Sequence, residues 1–411
     1  MALQPCGPCH AVPRGVMTED GSVTATLHRL PDLVPPPTEL PQRTAALRAE
    51  VRAFLAEELA ARRWTPRADV WLSGWDERFS RELGRRGWLG MTIPKEHGGH
   101  GASALDRYVV TEELLAAGAP VAAHWIADRQ IGPTLLRFGT QVQRQRFLPG
   151  IARGEVYFGI GMSEPDAGSD LAAVRTRAER VDGGWELTGT KVWTSGAHHA
   201  HAFFALARSA PRDEQHRHAG LSQFIVLLDA PGVQIRPIPL LTGAHHFNEV
   251  VFDRVFVPDD MVLGEIGAGW KQVTSELAFE RSGPERFLST FPLLVALIEE
   301  LAGTTGAERE IGGLVARLWT LRRMSLAVAG SLESGEAPEL AAAVVKELGT
   351  RYENEVIDVA RLLVAVPPDP GAEAGFARLL ADAVLHAPGF TLRGGTNEVL
   401  RGIVARGLGL R

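Results

Sequence analysis

Beyond a proline-rich start, apolar residues recur with helical spacing. Leu47, Val51, Phe54, Leu55 and Leu59 fall at i, i+4, i+7, i+8 and i+12, along one face of a helix. Phe79 and Leu83 continue the pattern up to a stop at Gly87, and further helices are expected over residues 105–117, 132–138 and 141–153. Residues 93–101 carry too many glycines for a helix and read as a loop. The period changes near Tyr157. Residues 174–179 alternate apolar and charged side chains, and Asp182-Gly183-Gly184 signals a hairpin turn ahead of Trp185 and Leu187. Residues 203–207, 224–228, 233–237 and 250–257 read as strands, and helical spacing returns at Gly269 with breaks at 303–306, 335–338 and 366–371.

The order is helices, strands, helices, with no strand–helix alternation. That argues against a dinucleotide-binding parallel sheet. The expected fold is α+β and multi-domain: an N-terminal helical domain over 38–156, a middle antiparallel β domain over 157–263 and a C-terminal helical bundle over 264–411. Residues 1–37 hold many prolines and no sustained period, so they read as a disordered or extended tail. Cys6-Gly7-Pro8-Cys9 has the spacing of a thioredoxin redox motif but lacks the flanking strand and helix, and is read as part of that tail.

Composition narrows the class. With 45% hydrophobic and 22% charged residues over 411 positions, the chain has the make-up of an ordinary globular protein. A formal charge of −6 gives no basic footprint for nucleic acid. Two cysteines cannot build a disulfide framework, which fits a reducing compartment, and a cytoplasmic location is expected. No apolar run is long enough to span a membrane or serve as a signal peptide.

Four stretches carry candidate chemistry. They are Gly161-Met162-Ser163-Glu164-Pro165-Asp166-Ala167-Gly168-Ser169-Asp170, Leu187-Thr188-Gly189-Thr190-Lys191-Val192-Trp193-Thr194-Ser195, Phe247-Asn248-Glu249-Val250-Val251-Phe252-Asp253, and Gly394-Gly395-Thr396-Asn397-Glu398-Val399-Leu400-Arg401. In this order and at this spacing they resemble the acyl-CoA dehydrogenase family over about residues 40–411. The resemblance implies FAD as cofactor and α,β-desaturation of an acyl-CoA thioester: a base takes the α-proton while a hydride leaves the β-carbon. The α-proton is acidic enough only if the thioester carbonyl is polarised, which backbone N–H groups can do. By resemblance, Met162, Ser163, Gly168 and Ser169 line the flavin and the CoA entrance, with Ser169, Arg281 and Gly394 on the substrate side. Trp193 and Ser195 lie against the isoalloxazine ring, and Thr396 and Glu398 hold the adenylate part. Taken singly, the first stretch reads better as a surface turn and Trp193 as a core aromatic.

Many family members carry a catalytic glutamate just before the Gly-Thr of the fourth stretch; here that position is Gly394, which has no proton acceptor. Other members place the carboxylate on the helix after the β domain, where Glu280 stands here. At 100° per residue Val273, Leu277, Glu280, Pro284, Phe287, Leu288 and Phe291 share one sector, so Glu280 is expected on a buried stripe with a kink at Pro284. Burial raises a carboxyl pKa, which suits a base near neutral pH. The competing reading is a structural carboxylate paired with Arg281 or Arg286.

Two features of homotetrameric members are missing. Their Arg-x-x-Phe-Gly motif is replaced by Leu301-Ala302-Gly303-Thr304-Thr305-Gly306, and their Gln-x-x-Gly-Gly-x-Gly by Val366-Pro367-Pro368-Asp369-Pro370-Gly371. Both contribute to a neighbour's flavin. The chain is thus expected either to pair with a homologous subunit or to form a homo-oligomer that grips FAD with other residues, such as Arg309, Arg317 or Arg322. An electron-transfer flavoprotein is the acceptor that the resemblance implies. Two further readings remain open: a flavin monooxygenase or oxidase on the same fold, and a non-catalytic subunit of a heteromeric dehydrogenase. Histidines cluster at 198–201, 216–218 and 245–246, without the carboxylate or cysteine spacing of a metal site. The four lysines stand against 39 arginines, which reads as compositional bias.

Overall fold

A computed structural model describes residues 35–281, 283–336 and 338–410, without the side chains of 276–280. Cys6 and Cys9 lie outside the described residues.

The N-terminal helices are α1 (Arg43–Ala60), α2 (Val70–Ser73), α3 (Glu77–Arg85), α4 (Ala104–Ala116), α5 (Ala122–Ile126), α6 (Gly132–Phe138) and α7 (Gln141–Ala152), with a π-helical turn at Ala127–Ile131. Their starts are chemically marked. Ser103 accepts the Asp106 N–H at 3.0 Å while Asp106 accepts the Ser103 N–H at 3.4 Å, a capping box that opens α4. Thr140 and Gln143 do the same for α7. In α1 the buried positions include Val51, Phe54 and Leu55, the face that the spacing predicts.

The strands are β1 (Phe158–Gly161), β2 (Arg177–Val181), β3 (Gly184–Ser195), β4 (Ala202–Arg208), β5 (Leu221–Leu227), β6 (Val233–Pro239), β7 (His245–Pro258) and β8 (Val262–Leu263). They form one sheet in the order β6-β7-β3-β2-β4-β5-β8, with β1 parallel on β4. Every residue of β4 is buried, so this strand reads as a continuous apolar run rather than an alternation. The expectation of an antiparallel domain holds for most pairs; β1–β4 and the short β2–β4 contact are parallel. The core of this sheet also takes Ile131, Leu135, Phe147 and Leu148 from the N-terminal helices.

The remaining helices are α8 (Gly269–Glu280), α9 (Phe291–Glu300), α10 (Glu308–Glu333), α11 (Glu339–Leu363), α12 (Phe376–Phe390) and α13 (Asn397–Gly407). Phe54, Trp71 and Trp125 share a core with Leu293, Val345, Val356 and Phe390, so the two helical segments are one packed body despite their separation in sequence.

One expectation is corrected here. The helix carrying Glu280 does not continue through a kink; it ends at Glu280. Gly283 is extended at φ −77° and ψ 167°, and Pro284–Arg286 makes a short 3-10 turn before α9 begins. Pro284 has no N–H to offer the carbonyl of Glu280, and a residue before proline avoids helical angles. Phe287, Leu288 and Phe291 therefore do not continue the helical face of Val273. They enter the core shared by the helical segments.

Candidate active site

The first two stretches are joined by a buried ion pair. Lys191 Nζ donates to Glu164 Oε1 at 2.7 Å and to the Met162 carbonyl at 3.2 Å. Glu164 also accepts the N–H groups of Arg175 (2.6 Å) and Thr176 (2.9 Å). Burial opposes the Glu164 charge, but Lys191 and these donors outweigh it and hold the carboxyl below its ordinary value. The Val192 N–H donates to the Ser163 carbonyl at 2.9 Å, closing the same junction.

At that junction the pairing of β3 with β7 slips between Lys191 and Thr194. Trp193 falls in the slip. Its backbone is left-handed at φ +60° and its indole is 58% exposed, touching Phe247 edge-on at 5.9 Å. A bulky residue in that backbone region is strained, and bulges re-aim side chains. The core-aromatic reading of Trp193 does not hold. Met162, Ser163 and Ser195 are half-buried, while Gly168 and Ser169 are exposed. An added Cβ at Gly168 would meet open space, so nothing on this chain demands glycine there.

The third stretch pairs with the second: Thr194 lies opposite Asn248 and Ser195 opposite Phe247. Asn248 is fully buried and its Nδ2 donates to the Thr194 carbonyl at 3.0 Å. Next to it, buried His246 lies within the fields of Asp69, His386 and Arg393, the last of which directly precedes the fourth stretch.

The fourth stretch is a turn and a cap. Gly394 and Gly395 have φ +69° and +90°, successive left-handed residues that glycine alone adopts freely. A glutamate at 394 would be strained, which agrees with the base being absent there. Thr396 caps α13 by accepting the Val399 N–H at 3.3 Å, and Glu398 is exposed in its first turn. Lys346, fully buried, donates to the Gly395 carbonyl at 2.7 Å and to Asn397 Oδ1 at 2.8 Å. Arg281 Nε donates to the Gly394 carbonyl at 3.1 Å. The residue after Glu280 thus touches the residue that replaces the family's other base. The Glu280 side chain itself lies outside the described residues. Arg286, the other arginine considered for it, is buried against Trp71, 5.0 Å from the ring.

The spacing of motifs brought out Met162, Ser163, Trp193, Ser195, Arg281 and Gly394 but missed the groups that hold them: Glu164, Lys191, Lys346, Asp69 and Arg393. A signal existed for two. In a chain with 39 arginines, a retained lysine marks a site where a compact ammonium with three donors is needed. Lys191 and Lys346 are both completely buried and both serve backbone carbonyls. Of the arginines considered for FAD, Arg322 is paired with Glu112, Arg317 with Glu355 and Arg309 with Glu310.

His198 and His245 stack at 3.8 Å, with His199 beside them. Among the described residues no group of three His, Cys, Asp or Glu is arranged to hold a metal. Burial lowers His124, His198 and His246 from 6.5 to about 4, with His199 and His245 adding to the effect at His198. These imidazoles stay neutral in the fold while the unfolded chain takes up protons, so stability present above pH 6.5 is lost as pH falls towards 4. Glu353, raised by burial to about 7, opposes this with one proton between 7 and 4.5. The urea midpoint is expected to fall from pH 6.5 to 4, and His124→Gln to flatten that slope. Equal slopes would refute the assignment.

The bulged strand end with its outward aromatic, and the half-buried Met162, Ser163 and Ser195, suit a flat, polar-edged ring system such as the isoalloxazine of FAD. The description "Acyl-CoA dehydrogenase, N-terminal domain" matches residues 41–155, and "Acyl-CoA dehydrogenase, middle domain" matches 159–255. The chain is 36% identical to acyl-CoA dehydrogenase IpdE1 of Mycobacterium tuberculosis, across 90% of this chain and 98% of that protein. It is 34% identical to acyl-CoA dehydrogenase FadE29 of the same organism, across 79% and 86%. Among solved structures it resembles the Tcur3481-Tcur3483 steroid ACAD, with a TM-score of 0.79 and 31% identity over 91% of this chain and 99% of that one. The ChsE4-ChsE5 complex from Mycobacterium tuberculosis gives 0.75 and 29% over 90% and 98%. With its first three motifs meeting at one junction and these relatives spanning most of its length, the chain belongs to the acyl-CoA dehydrogenase family and is an FAD-dependent oxidoreductase.

Proposed function

We propose that the chain dehydrogenates an acyl-CoA thioester between its α- and β-carbons, with Glu280 removing the α-proton. FAD, when bound, supplies the hydride acceptor. The observation that carries this reading is the bond from Arg281 to the Gly394 carbonyl, which joins the end of α8 to the turn where other members carry their base. Met162, Ser163, Gly168, Trp193 and Ser195 cradle the flavin, and Thr396 and Glu398 its adenylate side. Ser169 faces the CoA, and Arg281 with Gly394 borders the reacting carbons. Anaerobic mixing with a panel of acyl-CoAs, without NADH, is expected to bleach the flavin. Bleaching that requires NADH and oxygen turnover would favour a monooxygenase instead.

The active form is a complex with a homologous subunit that supplies the missing grip on FAD. Support comes from the absent motifs at 301–306 and 366–371, from the engagement of Arg309, Arg317 and Arg322 by carboxylates, and from similarity to the Tcur3481-Tcur3483 steroid ACAD and the ChsE4-ChsE5 complex. Expressed alone, the chain should carry little FAD, and co-expressed with its partner it should be yellow. Stoichiometric FAD on the lone chain would overturn the pairing. An electron-transfer flavoprotein then takes the electrons.

A further inference from the structure

The loop after Glu280 is held by buried charges that the reaction itself does not use. Arg393, just before the Gly394-Gly395 turn, donates from Nη1 to both Asp69 oxygens at 2.6 Å and from Nη2 to Ser289 Oγ at 3.0 Å. Its guanidinium lies 4.4 Å over Trp71 and 4.8 Å over Phe390. Asp69 is 1% exposed and also pairs with His386 Nδ1 at 3.1 Å. Its backbone is left-handed, at φ 58° and ψ 34°, and its N–H donates to the Ser289 carbonyl at 3.0 Å. Ser289 in turn donates its N–H to Glu353 at 2.9 Å, and Glu285 in the same loop pairs with Arg129 of the π turn at 3.1 Å. Three segments distant in sequence therefore meet on one guanidinium: the approach to α2, residues 283–290 and the glycine turn.

A buried ion pair is a poor way to add stability, because desolvation offsets most of its attraction. A planar fork with one prong on a carboxylate and the other on a hydroxyl does fix direction. We propose that Arg393 is a positioning residue: through Asp69 and Ser289 it locks residues 283–290 to the Gly394-Gly395 turn, and so sets where the end of α8 stands relative to the substrate. This rests on the reading of Glu280 as base.

Arg393→Lys keeps the charge and removes the fork. Asp69→Asn keeps shape and tolerates the left-handed backbone. In the FAD-loaded protein, with its partner subunit where required, each is expected to slow anaerobic flavin reduction by roughly 10–100-fold, the scale of a small misplacement of reacting groups. FAD content and affinity for an unreactive thioether analogue of the acyl-CoA should stay within about 2-fold, and the isotope effect with α-deuterated substrate should rise. A folded, FAD-loaded variant that reduces flavin at the wild-type rate, with only its Tm lowered, overturns the proposal. Should both variants fail to fold, His386→Gln removes one bond to Asp69 and is read the same way. Glu280→Gln run in parallel separates the two claims. An active Glu280→Gln removes the base assignment, whereas an inactive one beside fully active Arg393→Lys and Asp69→Asn removes only the positioning role.

Discussion

Glu280→Gln is expected to lose flavin reduction by roughly 10²–10⁴-fold while still binding FAD and acyl-CoA. Glutamine keeps the length and much of the hydrogen bonding of glutamate, so the loss isolates proton removal from packing. Stopped-flow bleaching under anaerobic conditions reads the chemical step directly. Wild-type bleaching by the variant would mean that another group takes the proton. Gly394 cannot be that group, and its φ of +69° disfavours installing one there. Glu285, one turn further along the chain, is the nearest described carboxylate in sequence, but it is engaged by Arg129 at 3.1 Å.

Glu164→Ala should strongly destabilise the β domain. It leaves the Lys191 ammonium fully buried beside the Met162 carbonyl alone, a situation that costs roughly 3–5 kcal/mol. It also frees the N–H groups of Arg175 and Thr176, which now bond the carboxylate. Because the folded Glu164 carboxyl is held below its ordinary 4.5, its contribution is present above that pH and is lost as pH falls through the folded value. Urea unfolding at pH 7 measures the loss. A loss under about 1 kcal/mol at pH 7 would show that Lys191 finds other partners. FAD content should fall with stability, since the same junction carries Ser163 and Trp193.

The helices with regular apolar spacing were readable from the sequence. Residues 43–60 have one buried face, whereas 104–116 are buried on every side from Tyr108 to Leu115; Ser103 with Asp106 opens the second of these helices, and Thr140 with Gln143 opens residues 141–152. Ala122–Ile126 and the π turn after it were not, because a short alanine-rich segment carries no period long enough to detect. The end of α8 was misjudged because the angular pattern ignores what Gly283 and Pro284 do together to the backbone. At the site, the four stretches were legible as words, and the structure supplies their grammar: Lys191, Lys346, Asp69 and Arg393 act across sequence distances that no local pattern encodes. Asp69 and Arg393 are 324 positions apart and 2.6 Å in contact.

The rarity of lysine has a practical outcome. Four amine-bearing side chains occur in the whole chain, and Lys191 and Lys346 are sealed inside the protein while Lys95 and Lys271 reach solvent. Amine-directed reagents should therefore mark the native surface at two side chains only. Lys271 sits in the first turn of the helix that ends at Glu280, so its protection from such a label would report occupancy or assembly near that helix from a single peptide.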